Sequence, residues 1–171
     1  MPDFDSLVNA HSAEIFKYLW RLMRETADAE DCLQETFLRA YRAYGRLDPQ
    51  ANCRAWLYKI ATNVARTHGK RRAQHIARAS ALDPDAPHAG PTLSEQIEQQ
   101  ELMRRVARAV EQLPHHQRAA LLMRKYQDLD YAAIAEALQC SEEAARANVY
   151  QALKKLRALL PAWSAEEMEL P

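Results

Sequence analysis

Three sets of side chains in this chain carry recognition chemistry at helical spacing. The first is Asp31, Gln34, Glu35 and Leu38, an acidic ridge with one apolar member. Such a ridge suits a basic protein surface. It also fits a solvated helix face whose charges complement the helix dipole. The second is Lys59, Thr62, Asn63, Arg66 and Lys70, followed by Arg71 and Arg72. Phosphates favour a cationic stripe of this kind, and an amide in its middle can bond a base edge. Basic residues near the negative pole of a helix are the competing explanation. The third is Glu143, Ala147, Tyr150, Gln151 and Lys154, the polar outer face of a helix that starts after Ser141. Chemistry of the bond-breaking kind finds no support. There is no Gly-rich phosphate loop, no Ser/His/Asp order and no paired carboxylates, so no enzyme is expected. His11 has no partner at ligand spacing, and His115-His116 is expected to sit exposed before a helix. Cys32, Cys53 and Cys140 are odd in number and far apart, without zinc spacing. They read as small core residues in a reducing cytoplasm. No metal and no cofactor is expected.

The elements that must position these sets are helices. The 171 residues include only 3 glycines and few β-branched residues, while Ala, Leu, Arg, Glu and Gln dominate. Lys+Arg and Asp+Glu both number 23, so any affinity for nucleic acid depends on where charge sits. No apolar run reaches the ~18–20 residues of a membrane span, and the acidic N-terminus is no signal peptide. A first helix is expected over 5–24, with Val8, His11, Ile15, Tyr18, Leu19 and Leu22 on one face. Thr26 or Asp28 can cap a second, whose buried stripe would be Leu33, Phe37, Ala40, Tyr41 and Tyr44. Gly45 ends it, and a turn containing Pro49 follows. Asn52 caps a third helix with Trp56, Leu57, Ile60, Ala61 and Val64 inward.

From Ala73 to Ser94 the helical period fades, and ALDPDAPHAGPT is rich in Pro and Gly. The expected organisation is all-α: a helical domain over 1–72, a flexible linker over 73–95 and a second helical domain over 96–163. An acidic tail over 164–171 would follow, with the two domains free of any fixed relation. In the second domain, Pro114 breaks one helix and a short helix runs from His116 to Tyr126. Then comes DLDYAAIAEALQCSEEAARANVYQALKKLRALL. Tyr131, Ile134, Ala135 and Leu138 line a short helix capped by Asp130. Gln139-Cys140 interrupts it. Ser141 caps a longer helix that buries Ala145, Val149, Ala152, Leu153, Leu156 and Leu160. About eight residues, a tight turn and a longer helix make the helix-turn-helix pattern, whose second helix enters the major groove. An ordinary helical hairpin shares that periodicity.

Two segments together resemble the bacterial RNA polymerase sigma factors of the extracytoplasmic-function group. They are DAEDCLQETFLRAYRAYGRLDPQANCRAWLYKIATNVARTHGKRR and LPHHQRAALLMRKYQDLDYAAIAEALQCSEEAARANVYQALKKLRALL. The resemblance implies a promoter-specificity subunit of core RNA polymerase. Its first domain would dock on the β′ clamp helices through Asp31, Gln34, Glu35 and Leu38. Leu47, Asp48, Gln50, Ala51 and Asn52, in the loop before the third helix, would capture and open the −10 element with Lys59, Asn63, Arg66 and Lys70. Asn63 matches a family position near a flipped base, whose extrusion costs roughly a few kcal/mol. The second domain would read the −35 element through Arg146, Ala147, Asn148, Tyr150, Gln151 and Lys154, and meet the β flap with its other surface. Promoter DNA, core polymerase and an anti-sigma factor are the partners the resemblance implies, with no membrane insertion.

The chain departs from the family in places. Gln139 stands where the family usually has Gly. Thr67 replaces a common acidic residue. Two cations are missing from the recognition helix, which would flatten the log–log salt dependence by about 1.8 units at ~0.9 per phosphate contact. A stand-alone helix-turn-helix regulator explains the C-terminal half but leaves the AEDxxQETF helix without a role. A sigma-like interaction module is the third reading.

Overall fold

The computed structural model describes residues 3–80 and 96–160. It is all-α. The helices are α1 (Phe4–Met23), α2 (Thr26–Tyr44), α3 (Cys53–Ser80), α4 (Gln96–Glu111), α5 (His115–Tyr126), α6 (Tyr131–Leu138) and α7 (Glu142–Leu159). The first three form one cluster and the last four another. The expected acidic tail and the Pro-rich part of the expected linker lie outside the described residues. α3 runs on to Ser80, past the point near Ala73 where the period was expected to fade. Gln74, Ala79 and their neighbours contain no Pro, so nothing in the backbone stops the helix there.

Caps set most of the ends. Asp3 accepts from the Ser6 amide at 2.8 Å and starts α1. Asn52 accepts from Ala55 at 3.0 Å, Asp130 from Ala133 at 2.7 Å and Ser141 from Ala144 at 3.1 Å. Each satisfies an amide that the helix itself cannot. α2 is the exception. Its N-cap is Glu25, with no side-chain bond. Neither Thr26 nor Asp28 caps it, because both lie inside the first turn and Asp28 is drawn to α3 by Arg72. Gly45 follows α2 in a right-handed conformation with φ −65°, so its lack of a Cβ is not what ends the helix.

The buried line of α2 is Ala29, Cys32, Thr36 and Ala40, one step round from the expected stripe. Leu33, Phe37 and Tyr44 pack at its margin, whereas Tyr41 is 68% exposed. Tyr41 lies against Phe4 instead, ring centroids 5.2 Å apart. On α3, Leu57, Ala61 and Val64 are buried as expected, and so are Tyr58, Thr62 and Ala65. Thr62 therefore leaves the cationic stripe. Its hydroxyl donates to the Tyr58 carbonyl at 2.7 Å and pairs with the Tyr18 hydroxyl at 2.8 Å.

A second buried face on α3 is needed because the two clusters touch. α3 packs on α6 and α1 on α5. Arg54 Nη2 donates to the Gln127 carbonyl at 2.7 Å, and the Arg21 guanidinium lies 4.3 Å from the Tyr126 ring centre. The clusters thus hold a definite relation, contrary to the expectation from the linker alone. A linker's composition reports its stiffness and not what the surfaces on either side prefer to touch.

In the second cluster α6 and α7 make the helix-turn-helix. Ile134, Ala135 and Leu138 face Ala145, Val149, Ala152 and Leu156 in a common core. Gln139 is left-handed at φ 55°, ψ 47°, and its amide bonds back to Ala135 and Glu136. A side chain there is strained, and Gly is not. Gln139→Gly is therefore expected to stabilise the chain by about 0.5–1 kcal/mol, read as a higher midpoint in thermal unfolding. An equal or lower midpoint would show that Gln139 is held by more than its backbone.

Candidate functional site

The acidic ridge lies on the outside of α2. Asp31, Gln34 and Leu38 are exposed, Leu38 at 52%. Glu35 is half-buried, and its carboxylate accepts from Arg39 Nε at 2.6 Å. Asp31 and Glu35 also line a cleft of about 330 Å³ between α2 and α3, with Arg39, His68 and Arg71 among its walls. Beneath the ridge, burial pushes the Cys32 thiol up to about 11, helped by the negative charges of Asp28, Asp31 and Glu35. Cys32 is a buried core residue, as expected from the sequence.

The loop before α3 is organised by its own polar groups. The Asp48 carboxylate accepts from the Gln50 amide at 2.8 Å, and Asn52 is occupied in capping α3. Leu47 and Ala51 are half-buried, and Gln50 is exposed. Of the stripe on α3, Lys59 and Asn63 are half-buried, Arg66 and Lys70 exposed. The four fall at i, i+4, i+7 and i+11, about 16 Å along one edge at ~1.5 Å per residue. The loop leads directly into α3, on which this edge lies. The far end of the edge, Arg66 and Lys70, faces α5 of the other cluster.

The third set forms the outer face of α7. Arg146, Ala147, Tyr150, Gln151 and Lys154 are exposed, Tyr150 at 61%, and Asn148 is half-buried. A helix of this length, capped at Ser141 with its opposite face in the core, presents that surface to whatever the motif binds.

Two further observations decide between a regulator, an interaction module and a polymerase subunit. Residues 7–75 match the family described as sigma-70 region 2, and residues 103–156 match sigma-70 region 4. The RNA polymerase sigma-H factor of Pseudomonas aeruginosa is 30% identical over 167 residues, covering 92% of this chain and 86% of that one. The chain belongs to the extracytoplasmic-function group of the sigma-70 family. The sigma factor CarQ of Myxococcus xanthus is 34% identical over 159 residues, 92% of this chain and 88% of that one. Among solved structures, CnrH in complex with the cytosolic domain of CnrY is similar at TM-score 0.68 and 26% identity, over 94% and 89% of the two chains. Sigma factor RpoE of Bartonella quintana, solved with the anti-sigma factor NepR, shares the fold at TM-score 0.72 and 19% identity, over 96% and 100%.

As a sigma factor of this group, the chain directs RNA polymerase in transcription initiation and does no catalysis itself. Region 2 spans α1 to α3, with the acidic ridge and the cationic stripe; region 4 spans α4 to α7, with the helix-turn-helix. Among the described residues no helix is long and apolar enough to cross a membrane, and no group of three His, Cys, Asp or Glu could hold a metal.

Sequence reasoning missed two residues, Tyr131 and Arg124, that pack against the start of α7. The Arg146 guanidinium sits 4.4 Å from the Tyr131 ring centre, with Arg124 5.2 Å from the same ring. Arg146 also pairs with Glu142 at 3.4 Å. Tyr131 was legible only as one apolar residue of α6, and Arg124 carried no signal at all. Their convergence on Arg146 depends on the turn angle between α6 and α7, which no spacing encodes. Sequence reasoning also misplaced His115. Both its ring nitrogens are buried without a partner, because α5 starts against α1 and α3 and not in solvent.

Proposed function

We propose that this sigma factor docks on the β′ clamp helices through Asp31, Gln34, Glu35 and Leu38. The same subunit would open the −10 element with the loop of Leu47 to Asn52 and the Lys59–Lys70 edge of α3, and read the −35 element with α7. The single observation that supports this most is that the three sets lie, exposed or half-buried, on three different helices and the loop before α3. An acidic ridge with an exposed leucine suits a basic protein groove. A cationic edge beside a self-braced loop suits a distorted strand, since phosphates position it while the loop receives unstacked bases.

On α7 the balance differs. Arg146 is already engaged by Glu142 and Tyr131, so Tyr150, Gln151 and Lys154 would carry most of the duplex reading. That predicts readout by hydrogen bonds and apolar contact over phosphate neutralisation, with a shallow salt dependence. The solved pairing of a like-folded sigma factor with an anti-sigma factor supports an inhibitor of that kind here as well.

Promoter-dependent transcription in vitro with core polymerase tests the whole reading; no transcript and no core binding would defeat it. Asn63→Ala tests the strand-opening part. Asn63 is half-buried on that edge of α3. Its loss should lower open-complex formation by about tenfold, the equivalent of one good base contact, with duplex binding by α7 unchanged. Permanganate reactivity of the opened strand measures the first and gel shift of a duplex −35 site the second. Equal losses in both would remove Asn63 from the opening step.

A further inference from the structure

We propose that the cavity between α1, α3 and α5 is a binding site for an oligophosphate group, which bridges the two halves of the sigma factor. The site shares Arg66 and Lys70 with the proposed promoter edge of α3 but is completed by α1 and α5, and requires neither polymerase nor DNA. The cavity holds about 430 Å³, within the usual range for small-molecule sites. Leu22, Met23 and Ala65 give it an apolar wall. Arg66 and Lys70 enter from α3, His115 and Arg118 from α5.

Arg66, Lys70 and Arg118 share one sign; Glu111 acts on Arg118 from a distance, without an ion pair. Among the described residues, no carboxylate lies within ion-pairing distance of Arg66, Lys70 or Arg118. Arg72, at the rim, is taken by Asp28. Arg118 Nε and both ring nitrogens of His115 are buried with no hydrogen-bond partner. Buried donors left unmatched are uncommon, and each invites a ligand that supplies acceptors. The like charges register on one another: burial first, then Arg118, His116, Arg66 and Lys70, hold His115 down to about 4. Bringing cations of the two halves together opposes their packing unless an anion lies between them.

Gly69 is an exposed member of the cavity's lining. It lines the site from the middle of α3, and a Cβ built there would meet nothing within 4 Å. Its φ is ordinary, so no backbone strain calls for Gly. Gly weakens a helix interior relative to Ala. What its absent side chain leaves is open space beside Arg66 and Lys70.

Several cations around a small cavity suit vicinal phosphates better than a single carboxylate, and the apolar wall suits a ring attached to them. An oligophosphate can come as a nucleotide or as the free anion. Calorimetric titration of the full-length protein with ADP, inorganic pyrophosphate and adenosine separates these. Saturable one-to-one binding of ADP is expected, at least tenfold weaker in Arg118→Gln and in Gly69→Leu. The leucine fills the cavity while leaving every cation in place and favouring the helix. ADP at least tenfold tighter than pyrophosphate assigns a nucleotide; equal affinities assign the free oligophosphate. No saturable binding of either, binding untouched by both variants, or adenosine as tight as ADP each overturns the site. Amide exchange on the wild-type protein gives a readout independent of how the variants fold. ADP should slow exchange in both α3 and α5; protection confined to α7, or to α3 without α5, would place the phosphates on a promoter surface and also overturn it.

Discussion

Replacing Asp31 and Glu35 together by lysine should lower affinity for core polymerase by about 100-fold, near 3 kcal/mol. Each substitution removes an attraction and installs a repulsion, so the two act over twice the charge range of a truncation. Isolated surface pairs contribute only ~0.2–1 kcal/mol, but charges inside a formed interface are desolvated and count for more. The fold should not suffer, because Asp31 is exposed and Glu35 binds only Arg39. Arg39 would lose that partner and gain solvent, a change within ~0.5 kcal/mol. The Cys32 thiol supplies an internal check. Asp31 and Glu35 help hold its pKa near 11, so the double variant must bring it down. A lowered thiol pKa with unchanged core affinity, measured by fluorescence anisotropy, would show that the ridge is only a solvated face. Leu38→Ala should weaken docking less, by about 1–2 kcal/mol for a half-exposed leucine.

How far this was legible in the sequence differs between the two halves. The helix-turn-helix was read nearly whole: both caps, the turn and the strained Gln139 are local features, set within four residues of one another. The caps of α1 and α3 are local too. What failed was set at a distance. Tyr41 scans as core on α2, but the helix is rotated by what α1 and α3 offer, and Phe4 takes the ring at the surface. Thr62 scans as part of a polar stripe, yet Tyr18, 44 residues earlier, supplies a hydroxyl that lets it be buried. A polar residue goes inside when a partner is waiting there. The outward faces of α2 and α7 were legible because exposure follows period, whereas the joint between the halves was not. Arg54 carries no signal of its own; only its position shows that it ties Glu14 to Gln127.

Arg54 leads to the second large effect. Its Nη2 donates to Glu14 at 2.7 Å and to the Gln127 carbonyl at 2.7 Å, and its Nε reaches Glu14 at 3.0 Å. One side chain thus fastens α1 and α3 of the first cluster to the end of α5 in the second. Charged hydrogen bonds contribute ~1.5–3 kcal/mol, discounted here because Arg54 remains partly exposed. Arg54→Ala should therefore shift the balance between joined and separated halves about tenfold toward separation, ~1.4 kcal/mol. Small-angle scattering would show a larger radius, and thermal unfolding a lower midpoint. Arg54→Lys should recover only part, since one ammonium cannot serve both acceptors with a planar fork.

Acid should act on the same joint in two stages. His115 is held below its ordinary value by burial and by Arg118, His116, Arg66 and Lys70, so the joined form keeps it neutral. Stability from that source is present above pH 6.5 and is lost as pH falls toward about 4, where the separated form alone takes up the proton. Burial alone would push the Glu14 carboxyl up, but hydrogen bonds from Arg54 and His11 hold it below its ordinary 4.5. Its contribution is present above that value and disappears below it. In Arg54→Ala the second stage should vanish and the first persist; in His115→Gln the first should vanish and the second persist. A wild-type radius independent of pH between 7 and 4 would mean that His115 does not hold the halves together, and one that stays unchanged on further acidification would remove Glu14 as well.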